Sequence, residues 1–228
     1  MRGLACGCQV HSLSGALRPV AQAENRLKEA QKLGFSQAIL PEGQKVEGVG
    51  SDRGGMGTRR IADLTEFVGE IFGAEDAVAE QVAEIEALET QIEESIDGTA
   101  LVLSVSGGEY GAFGEGSRFG YFFDELGFTP AVAAAELPGA EGSPHGDTVT
   151  NEFLLSANPE WIIVFDRGAA IGDSSSASET LDNELVAQTT AGAEDQIIEL
   201  PASELYIVIN GLTAIENVLT TVGDELTA

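Results

Sequence analysis

Two arginines are the only positively charged residues between residue 61 and residue 228: Arg118 in GEGSRFGYFFDELGF and Arg167 in VFDRGAAIG. A guanidinium group presents several N–H donors that bind anionic oxygens in a fixed geometry. A direct contact at about 4 Å has a Coulomb energy near 4 kcal/mol at an effective dielectric of 20. Distant acidic groups are screened over about 8–10 Å in physiological salt. The two arginines therefore predict a site for an anionic ligand.

Each arginine also has a structural interpretation. Arg118 is predicted in the first turn of a helix that Ser117 caps, where the helix dipole disfavours a cation by a few tenths of a kcal/mol. A ligand would explain that placement, and a weak surface salt bridge would explain it as well. Arg167 directly follows a predicted strand, where a neighbouring carboxylate is the alternative to a ligand. The residues alone leave these alternatives open.

Two further side chains could act together with the arginines. His145, in GSPHGDTV, is the only histidine after residue 60, and its proline and glycine neighbours place it in a loop. Tyr206, in ASELYIVINGL, follows the third predicted strand. An imidazole and a phenolate can complete the coordination of a hard ferric ion whose other ligands are oxygens. An idle exposed histidine and ordinary packing of the tyrosine are the alternatives.

The charge of the chain changes abruptly near residue 60. Residues 1–60 carry nine Lys and Arg against five Asp and Glu, whereas residues 61–228 carry two Arg, no Lys and 33 Asp and Glu. This break predicts two segments of different origin. The acidic segment should repel nucleic acids and anionic lipid surfaces at long range. Solubility in a salty or extracellular setting is the simpler explanation of its charge.

No catalytic residues are predicted, and neither is a cofactor. The glycine-rich GGEYGAFGEGSRFG matches neither a dinucleotide-binding nor a P-loop motif, and no lysine follows Lys45. No serine lies in G-x-S-x-G, and one histidine leaves little for a catalytic triad. Cys6 and Cys8 are too close for an unstrained disulfide and lack partners for a zinc site. No apolar stretch is long enough for a membrane span or a secretion signal.

The periodicity of apolar residues predicts an α/β protein. A helix over residues 19–33 and a strand over 36–40 precede a glycine-rich loop or linker over 43–60. Spacings of three and four predict a long helix over residues 61–96, interrupted near Gly73 and on the order of 50 Å if continuous. Beyond it, strands alternate with helices. The strands are predicted over residues 100–106, 161–166 and 195–200, and the helices over 117–126, 150–158, 176–189 and 209–222.

Apolar strands without period-two alternation, separated by helices, predict a parallel sheet covered on both faces. Ligands of such sheets bind beyond the carboxyl ends of the strands. The loop over residues 106–118 and the segment DRGAAIG both lie there in the predicted order. The two arginines are therefore expected at one edge of the sheet.

Several segments together resemble the C-terminal lobe of a known family. They are LVLSVSGGEYGAFGEGSRFGYFFDELGFTPA, HGDTVTNEFLLSANPEWIIVFDRGAAIG, TLDNELV and LYIVINGL. The family comprises the iron–siderophore substrate-binding proteins of ABC importers, in its catecholate branch, and the resemblance runs from about residue 65 to the end. It implies one Rossmann-like lobe (98–228) after a long connecting helix (61–97). It also implies a periplasmic or surface-anchored protein and ABC permease partners.

The resemblance implies roles for four positions. Arg118 and Arg167 would neutralise catecholate oxygens of a ferric siderophore, and His145 and Tyr206 would be candidate ligands of the iron. ELYIVING departs from the aromatic and glycine-rich sequence usual around that tyrosine. An N-terminal lobe that should supply the opposite wall is missing from the expected arrangement.

Residues 12–50 resemble a different family. SLSGALRPVAQAENRLKEAQKLGFSQAILPEG is similar to the C-terminal Lon-like domain of the DNA-repair ATPase RadA. The expected organisation is a RadA-like fragment over residues 1–50, a linker over 51–60, and the siderophore-binding segments. Three alternatives to a binding module remain. They are a RadA-related repair fragment, a chimeric product without intact function, and a nucleotide-dependent α/β enzyme.

Overall fold

The structure is a computed structural model that describes most of the chain as two compact units, residues 1–82 and 83–228. Cys8, one of the two cysteines considered above, lies outside the described residues. The described residues are 4–6, 9–10, 17–46, 57–139, 146–172, 176–208 and 211–227.

The first unit is built on a three-stranded parallel sheet. The middle strand of this sheet pairs with the first strand on one side and with the last on the other. A separate antiparallel pair joins two short strands. The elements are β1 (Leu4–Cys6), β2 (Gln9–Val10), β3 (Leu17–Arg18), α1 (Ala23–Lys32), β4 (Gln37–Pro41), β5 (Gly57–Ile61) and α2 (Leu64–Phe72).

Strand β4 is the centre of the first unit because both of its faces are buried. Ala38 and Leu40 pack with Leu27 of α1, whereas the intervening Ile39 packs with Ile61 and Phe67. Successive side chains of a strand point to opposite faces. An uninterrupted apolar run therefore indicates a strand covered on both sides. The sequence predicted a short strand over residues 36–40, which is confirmed as β4.

The long helix predicted over residues 61–96 is two helices. Gly73 adopts a left-handed conformation, with φ of 65°, and ends α2, and α3 (Glu75–Ser95) then begins. The interruption near Gly73 is confirmed, and the continuous length near 50 Å is wrong. The 21 residues of α3 span about 31 Å at 1.5 Å per residue. Residues 57–60, predicted as part of the linker, belong to β5.

The second unit contains the remaining elements. Two turns of 3-10 helix, Ala134–Glu136 and Val186–Gln188, lie among them. The strands are β6 (Thr99–Ser106), β7 (Glu109–Phe113), β8 (Thr129–Pro130), β9 (Asp147–Val149), β10 (Trp161–Asp166) and β11 (Ile197–Leu200). The helices are α4 (Tyr121–Asp124), α5 (Asn151–Ala157), α6 (Arg167–Ala170), α7 (Ala177–Leu181), α8 (Thr190–Ala193), α9 (Ala202–Tyr206) and α10 (Leu212–Leu226).

The sheet of the second unit is mixed rather than wholly parallel. Strands β6, β10 and β11 are parallel neighbours, and β8 pairs in parallel with the first two residues of β6. On the side of β6 away from β10, β7 pairs antiparallel with β6, and β9 pairs antiparallel with β7. The predicted loop over residues 106–118 is thus partly a hairpin, since Gly107 and Gly108 form its turn with positive φ. The parallel core was predicted correctly, and the antiparallel edge was not.

Both faces of this sheet are covered. Leu101, Leu103 and Val105 of β6 share one apolar cluster with Ile162 and Val164 of β10. The alternate residues Ile163 and Phe165 are also fully buried, on the opposite face of the sheet. This two-sided burial explains why β6 and β10 lack polar alternation.

Two predicted helices of the second unit are shorter than expected. The helix predicted over residues 176–189 ends at Leu181, because Asp182 leaves helical geometry with ψ of 74°. The helix predicted over residues 117–126 is reduced to the four residues of α4, and its N-cap is Gly120. Ser117 therefore does not cap it, and Arg118 does not lie in a helical turn. The argument from the helix dipole about Arg118 was wrong.

Glu89 on α3 carries a prediction about pH. Partial burial, with the nearby carboxylates of Glu125 and Glu86, raises the pKa of Glu89 from 4.5 to about 7. The folded state keeps the proton while the unfolded state loses it, so stability falls as the pH rises from 4.5 to 7. Glu89→Gln should therefore stabilise the protein at pH 8 by about 1–2 kcal/mol, a value reduced for solvent screening.

Urea unfolding at pH 4 and pH 8 checks this expectation. The stabilisation should vanish at pH 4, where Glu89 is protonated in both states. Glu84→Gln changes an exposed residue of the same helix and serves as the matched control. Equal stabilisation by Glu89→Gln at the two pH values would contradict the assigned cause.

Candidate functional site

The two arginines are carried by different segments of the second unit. Arg167 is the first residue of α6 and follows the last residue of β10 directly. Arg118 lies in the turn between β7 and α4. Its side chain is exposed, and that of Arg167 is partly buried.

Tyr206 brings the two arginines together. The Cζ atom of Arg118 and the Cζ atom of Arg167 each lie 5.3 Å from the centroid of the Tyr206 ring. The Nε–H of Arg167 also donates a hydrogen bond to the phenol oxygen at 3.0 Å. The two guanidinium carbons are thus no further apart than twice the distance from either to the ring. The sequence placed Tyr206 just after the third strand, and in the structure it is the last residue of α9, the helix that follows β11.

Three buried phenylalanines fix the segments that carry the arginines. The ring of Phe119 meets Phe113 edge-on at 4.8 Å and lies 4.7 Å from Phe165, measured between ring centroids. Phe119 directly follows Arg118, and Phe165 comes two residues before Arg167. The aromatic contact therefore ties the Arg118 turn to the end of β10. Arg118 also lies over the Phe119 ring, with its Cζ 5.3 Å from the centroid.

The backbone of the Arg118 turn depends on two glycines. Gly116 has φ of +69°, a conformation that residues with a Cβ rarely adopt. A Cβ on Gly120 would lie 2.7 Å from the backbone nitrogen of Gly116, so the turn has no room for a side chain there. The N–H of Gly116 donates to the Asp124 carboxylate at 3.2 Å, which closes the turn onto α4. The spacing of glycines in GEGSRFG thus follows from the geometry of the turn.

The arginines have no carboxylate partner among the described side chains, since no carboxylate oxygen there lies within 4.0 Å of either guanidinium group. Asp166 is the nearest acid in sequence to Arg167, and its buried carboxylate accepts the Ala169 N–H at 2.7 Å as the N-cap of α6. The structural pairing that the sequence left open for Arg167 is therefore absent from the described contacts. The surface salt bridge considered for Arg118 is likewise not among them.

Two cations that share one ring repel each other. At a separation of about 10 Å and an effective dielectric of 20, this repulsion is roughly 1.7 kcal/mol, and solvent and salt reduce it for exposed groups. Each cation–π contact with Tyr206 offsets about 0.5–1 kcal/mol of this repulsion. An anion bound between the guanidinium groups would be attracted by both of them, and these two attractions would outweigh their mutual repulsion. The arrangement is therefore suited chemically to an anionic ligand.

His145 lies outside the described residues, so its suggested role as an iron ligand stays a prediction. For Tyr206 the same role is also untested, and its phenol oxygen already accepts the hydrogen bond from Arg167. Within the described ranges, no group of three His, Cys, Asp or Glu side chains could hold a metal ion. In that part of the chain no helix is both long and apolar enough to cross a membrane.

Sequence reasoning missed the aromatic support of the site. Phe165 was predicted in a strand, Phe119 in a helix and Phe113 in the glycine-rich loop, and none of them was given a role at the site. Their closeness to Arg118 and Arg167 in the sequence could have indicated this support. A buried ring fixes the backbone of its own segment, and therefore also the backbone of a cation next to it. The pairing of β7 with β6, which brings Phe113 to this cluster, could not be inferred from the glycine-rich sequence.

The chain is similar in sequence to known binding proteins. Residues 42–204 match the model of a family described as periplasmic binding protein. The chain is 30% identical to the petrobactin-binding protein YclQ of Bacillus subtilis over 164 residues, which are 71% of this chain and 50% of that protein. It is 32% identical to the ferric-anguibactin-binding protein FatB of Vibrio anguillarum over 156 residues, 67% of this chain and 47% of that protein. The chain thus spans about half the length of the curated relatives it matches.

The fold is also similar to a solved structure. The crystal structure of YclQ from Bacillus subtilis superposes with a TM-score of 0.64 and 25% identity, covering 89% of this chain and 74% of that one. A short segment has a separate similarity: 32 residues, 14% of the chain, are 66% identical to the DNA repair protein RadA of Synechocystis and cover 6% of it.

Proposed function

The chain belongs to the periplasmic binding protein family, and on that premise we propose that it binds an anionic ferric siderophore complex for an ABC importer. Arg118 and Arg167 would contact the negatively charged oxygens of the complex. The protein would act by binding and release, without catalysis. The support from the relatives is a similarity that covers about half of their length.

One observation carries the proposal. The only two cations of residues 61–228 converge on a single tyrosine ring without a described carboxylate partner, in a segment that contains 33 acidic residues. A chance pair of surface arginines in such a background would be expected to find carboxylates. Arg167 follows the carboxyl end of the parallel strand β10, which is the region where α/β proteins bind ligands.

The two curated relatives support a siderophore as the ligand. One is named for petrobactin and the other for ferric anguibactin. In both cases the protein's name describes the bound molecule. Fewer than a third of the aligned residues of this chain are identical to those of either relative. The iron would enter as part of the cargo rather than as a resident cofactor.

Exposed apolar side chains support an aromatic, catecholate type of siderophore. Ile171 comes four residues after Arg167, and Ile207 and Val208 directly follow Tyr206. Each is more than half exposed, at 57%, 58% and 53% respectively. Large apolar residues exposed near a polar contact are typical of ligand-binding surfaces, where they cover the non-polar parts of a ligand. His145 and Tyr206 would be candidate iron ligands when a siderophore leaves coordination positions open.

The family also supports a location and a partner. We infer a periplasmic or surface-anchored protein that delivers its cargo to ABC permease subunits. Nucleic acid is not an expected ligand of residues 61–228, because their net charge repels phosphate.

A charge series of ferric complexes tests the proposal. The full chain should bind anionic ferric tris(catecholate), measured by isothermal titration calorimetry, and should bind the cationic hydroxamate complex ferrioxamine B far more weakly. Binding should weaken as the salt concentration rises, because the contacts are electrostatic. The fluorescence of Trp161 is poorly suited to detecting this binding, because Trp161 begins β10 and Arg167 follows the other end of that strand. Equal affinity for both complexes, or for neither, would count against an anion site.

A second function concerns the segment similar to RadA, which is 66% identical over 32 residues. We propose that this segment serves as a structural part of the first unit rather than as a repair module. Residues 17–46 contain α1 and β4, whose buried side chains contribute to two apolar clusters among the described residues of that unit. Deleting residues 1–46 should therefore unfold the first unit, as measured by loss of amide hydrogen-exchange protection in β5. Retained protection of β5 would show that the segment is dispensable.

A further inference from the structure

Tyr206 has a geometry that iron coordination would not require. Its ring lies 5.3 Å from the guanidinium carbon of Arg118 and 5.3 Å from that of Arg167. Its oxygen accepts the Nε–H of Arg167 at 3.0 Å. One side chain thus contacts both cations, through its face and through its hydroxyl group.

The three residues come from distant parts of the second unit. Arg118 follows β7, Arg167 opens α6, and Tyr206 closes α9. The buried neighbour Leu205, 5% exposed, fixes the end of α9 in the core. Tyr206 is therefore held by its own helix independently of either arginine.

We propose that Tyr206 is a positioning residue that holds the guanidinium groups of Arg118 and Arg167 as a fixed pair facing an anionic ligand. The inference deepens the proposed function and rests on it for the identity of the ligand. An arginine side chain has many rotamers, and ordering it on binding reduces affinity. A ring that already orders two arginines lowers that cost before the ligand arrives. The hydrogen bond to Nε also leaves the terminal Nη groups of Arg167 available for the ligand.

The ring and the hydroxyl make separable contributions. Tyr206→Phe keeps the ring and removes the acceptor of the Arg167 hydrogen bond. Tyr206→Leu removes the aromatic face as well. Arg118 contacts the rings of Tyr206 and Phe119, so it should keep its order in Tyr206→Phe and part of it in Tyr206→Leu. Arg167 should be affected more strongly than Arg118.

The first test needs no ligand. The full chain, labelled with ¹⁵N-arginine, should give an Nε–H signal for each of its eight arginines, and Arg118→Lys and Arg167→Lys assign two of them. Tyr206→Leu should move the Arg167 signal, and partly the Arg118 signal, toward those of solvent-exposed arginines. Tyr206→Phe should move only the Arg167 signal. Tyr110→Phe is the matched control, since its hydroxyl donates to the Thr180 carbonyl at 2.5 Å. If Tyr206→Leu leaves both signals in place, the inference is wrong.

The second test measures binding of ferric tris(catecholate) by the same variants. Tyr206→Phe should weaken binding about 2- to 5-fold, and Tyr206→Leu at least about 10-fold. If Tyr206→Phe weakens binding as much as Tyr206→Leu and removes a phenolate-to-iron charge-transfer band, the oxygen is an iron ligand and the positioning role is overturned. If neither the unmodified chain nor its variants bind ferric tris(catecholate), but the arginine Nε–H signals still shift in the Tyr206 variants, the proposed function fails and the positioning role stands.

Discussion

Replacing both Arg118 and Arg167 with alanine is expected to weaken ferric tris(catecholate) binding by about two to four orders of magnitude. A hydrogen bond to a charged group contributes roughly 1.5–3 kcal/mol, and each arginine would contribute at least one. Because both arginines contact Tyr206, their effects should not add independently. Calorimetric titration of the single and double variants measures both the loss and its non-additivity.

Matched variants separate local contact from net charge. Arg167→Lys keeps the charge but loses the planar donor geometry and the hydrogen bond to Tyr206, so its affinity should be intermediate. Lys32→Ala removes one charge from an ammonium group that is already paired with Glu29 and should have little effect. The affinity of the double variant should also lose most of its dependence on salt. Affinity within threefold of the unmodified chain would refute the assignment of these arginines to the site.

Phe119→Ala is expected to lower the free energy of unfolding of the second unit by about 3–5 kcal/mol. Phe119 is 3% exposed and packs against both Phe113 and Phe165, so truncation leaves a cavity between β7 and β10. Typical domains are stable by only 5–15 kcal/mol, so this variant should lose much of its stability. Chemical denaturation followed by circular dichroism measures the change.

Two controls bound the interpretation of Phe119→Ala. Phe119→Leu keeps most of the buried volume and should cost less than about 1.5 kcal/mol. Phe72→Ala changes a residue that is 78% exposed and should change stability by less than about 0.5 kcal/mol. A loss below about 1 kcal/mol for Phe119→Ala would mean that the aromatic cluster does not hold the Arg118 turn.

The sequence predicted the parts of the fold whose cause is local or strongly periodic. Strands β6 and β10 were predicted because continuous apolar runs indicate burial on both faces. The helix break at Gly73 was predicted because glycine adopts the left-handed conformation without strain. The position of Arg167 directly after β10 followed from the order of strands and helices, whereas Arg118 was expected after a parallel strand and instead follows β7, which is antiparallel to β6.

The remaining features depend on contacts between segments that are distant in sequence. Strand β7 pairs with β6 across the Gly107–Gly108 turn, which composition alone marks only as a loop. The helix that Ser117 was expected to cap is confined to α4, and the Arg118 turn is instead fixed by Phe119 in the core. The meeting of Tyr206 with both arginines joins residues up to 88 positions apart, from 118 to 206, and no local pattern encodes it.

The segment over residues 12–50 that resembles RadA shares a sheet with β5, which lies inside the family match over residues 42–204. Strand β4, from the RadA-like segment, pairs along five residues with β5. A guanidinium nitrogen of Arg60 donates to the carbonyl oxygen of Glu42 at 3.1 Å and adds a side-chain link across the same junction. A parallel strand pair covered by a helix is common to many α/β folds, so a segment that resembles another family is compatible with this sheet where its strand and helix lengths fit.

The scarcity of cations beyond residue 60 has a practical consequence for protease digestion. Trypsin cleaves after lysine and arginine, and between residues 61 and 228 its only targets are Arg118 and Arg167. Arg118 lies exposed in a turn, and Arg167 opens a short helix in which Gly168 is buried, so cleavage should occur first after Arg118. A bound ligand that covers the arginine pair should therefore slow the accumulation of the fragment that begins at Phe119.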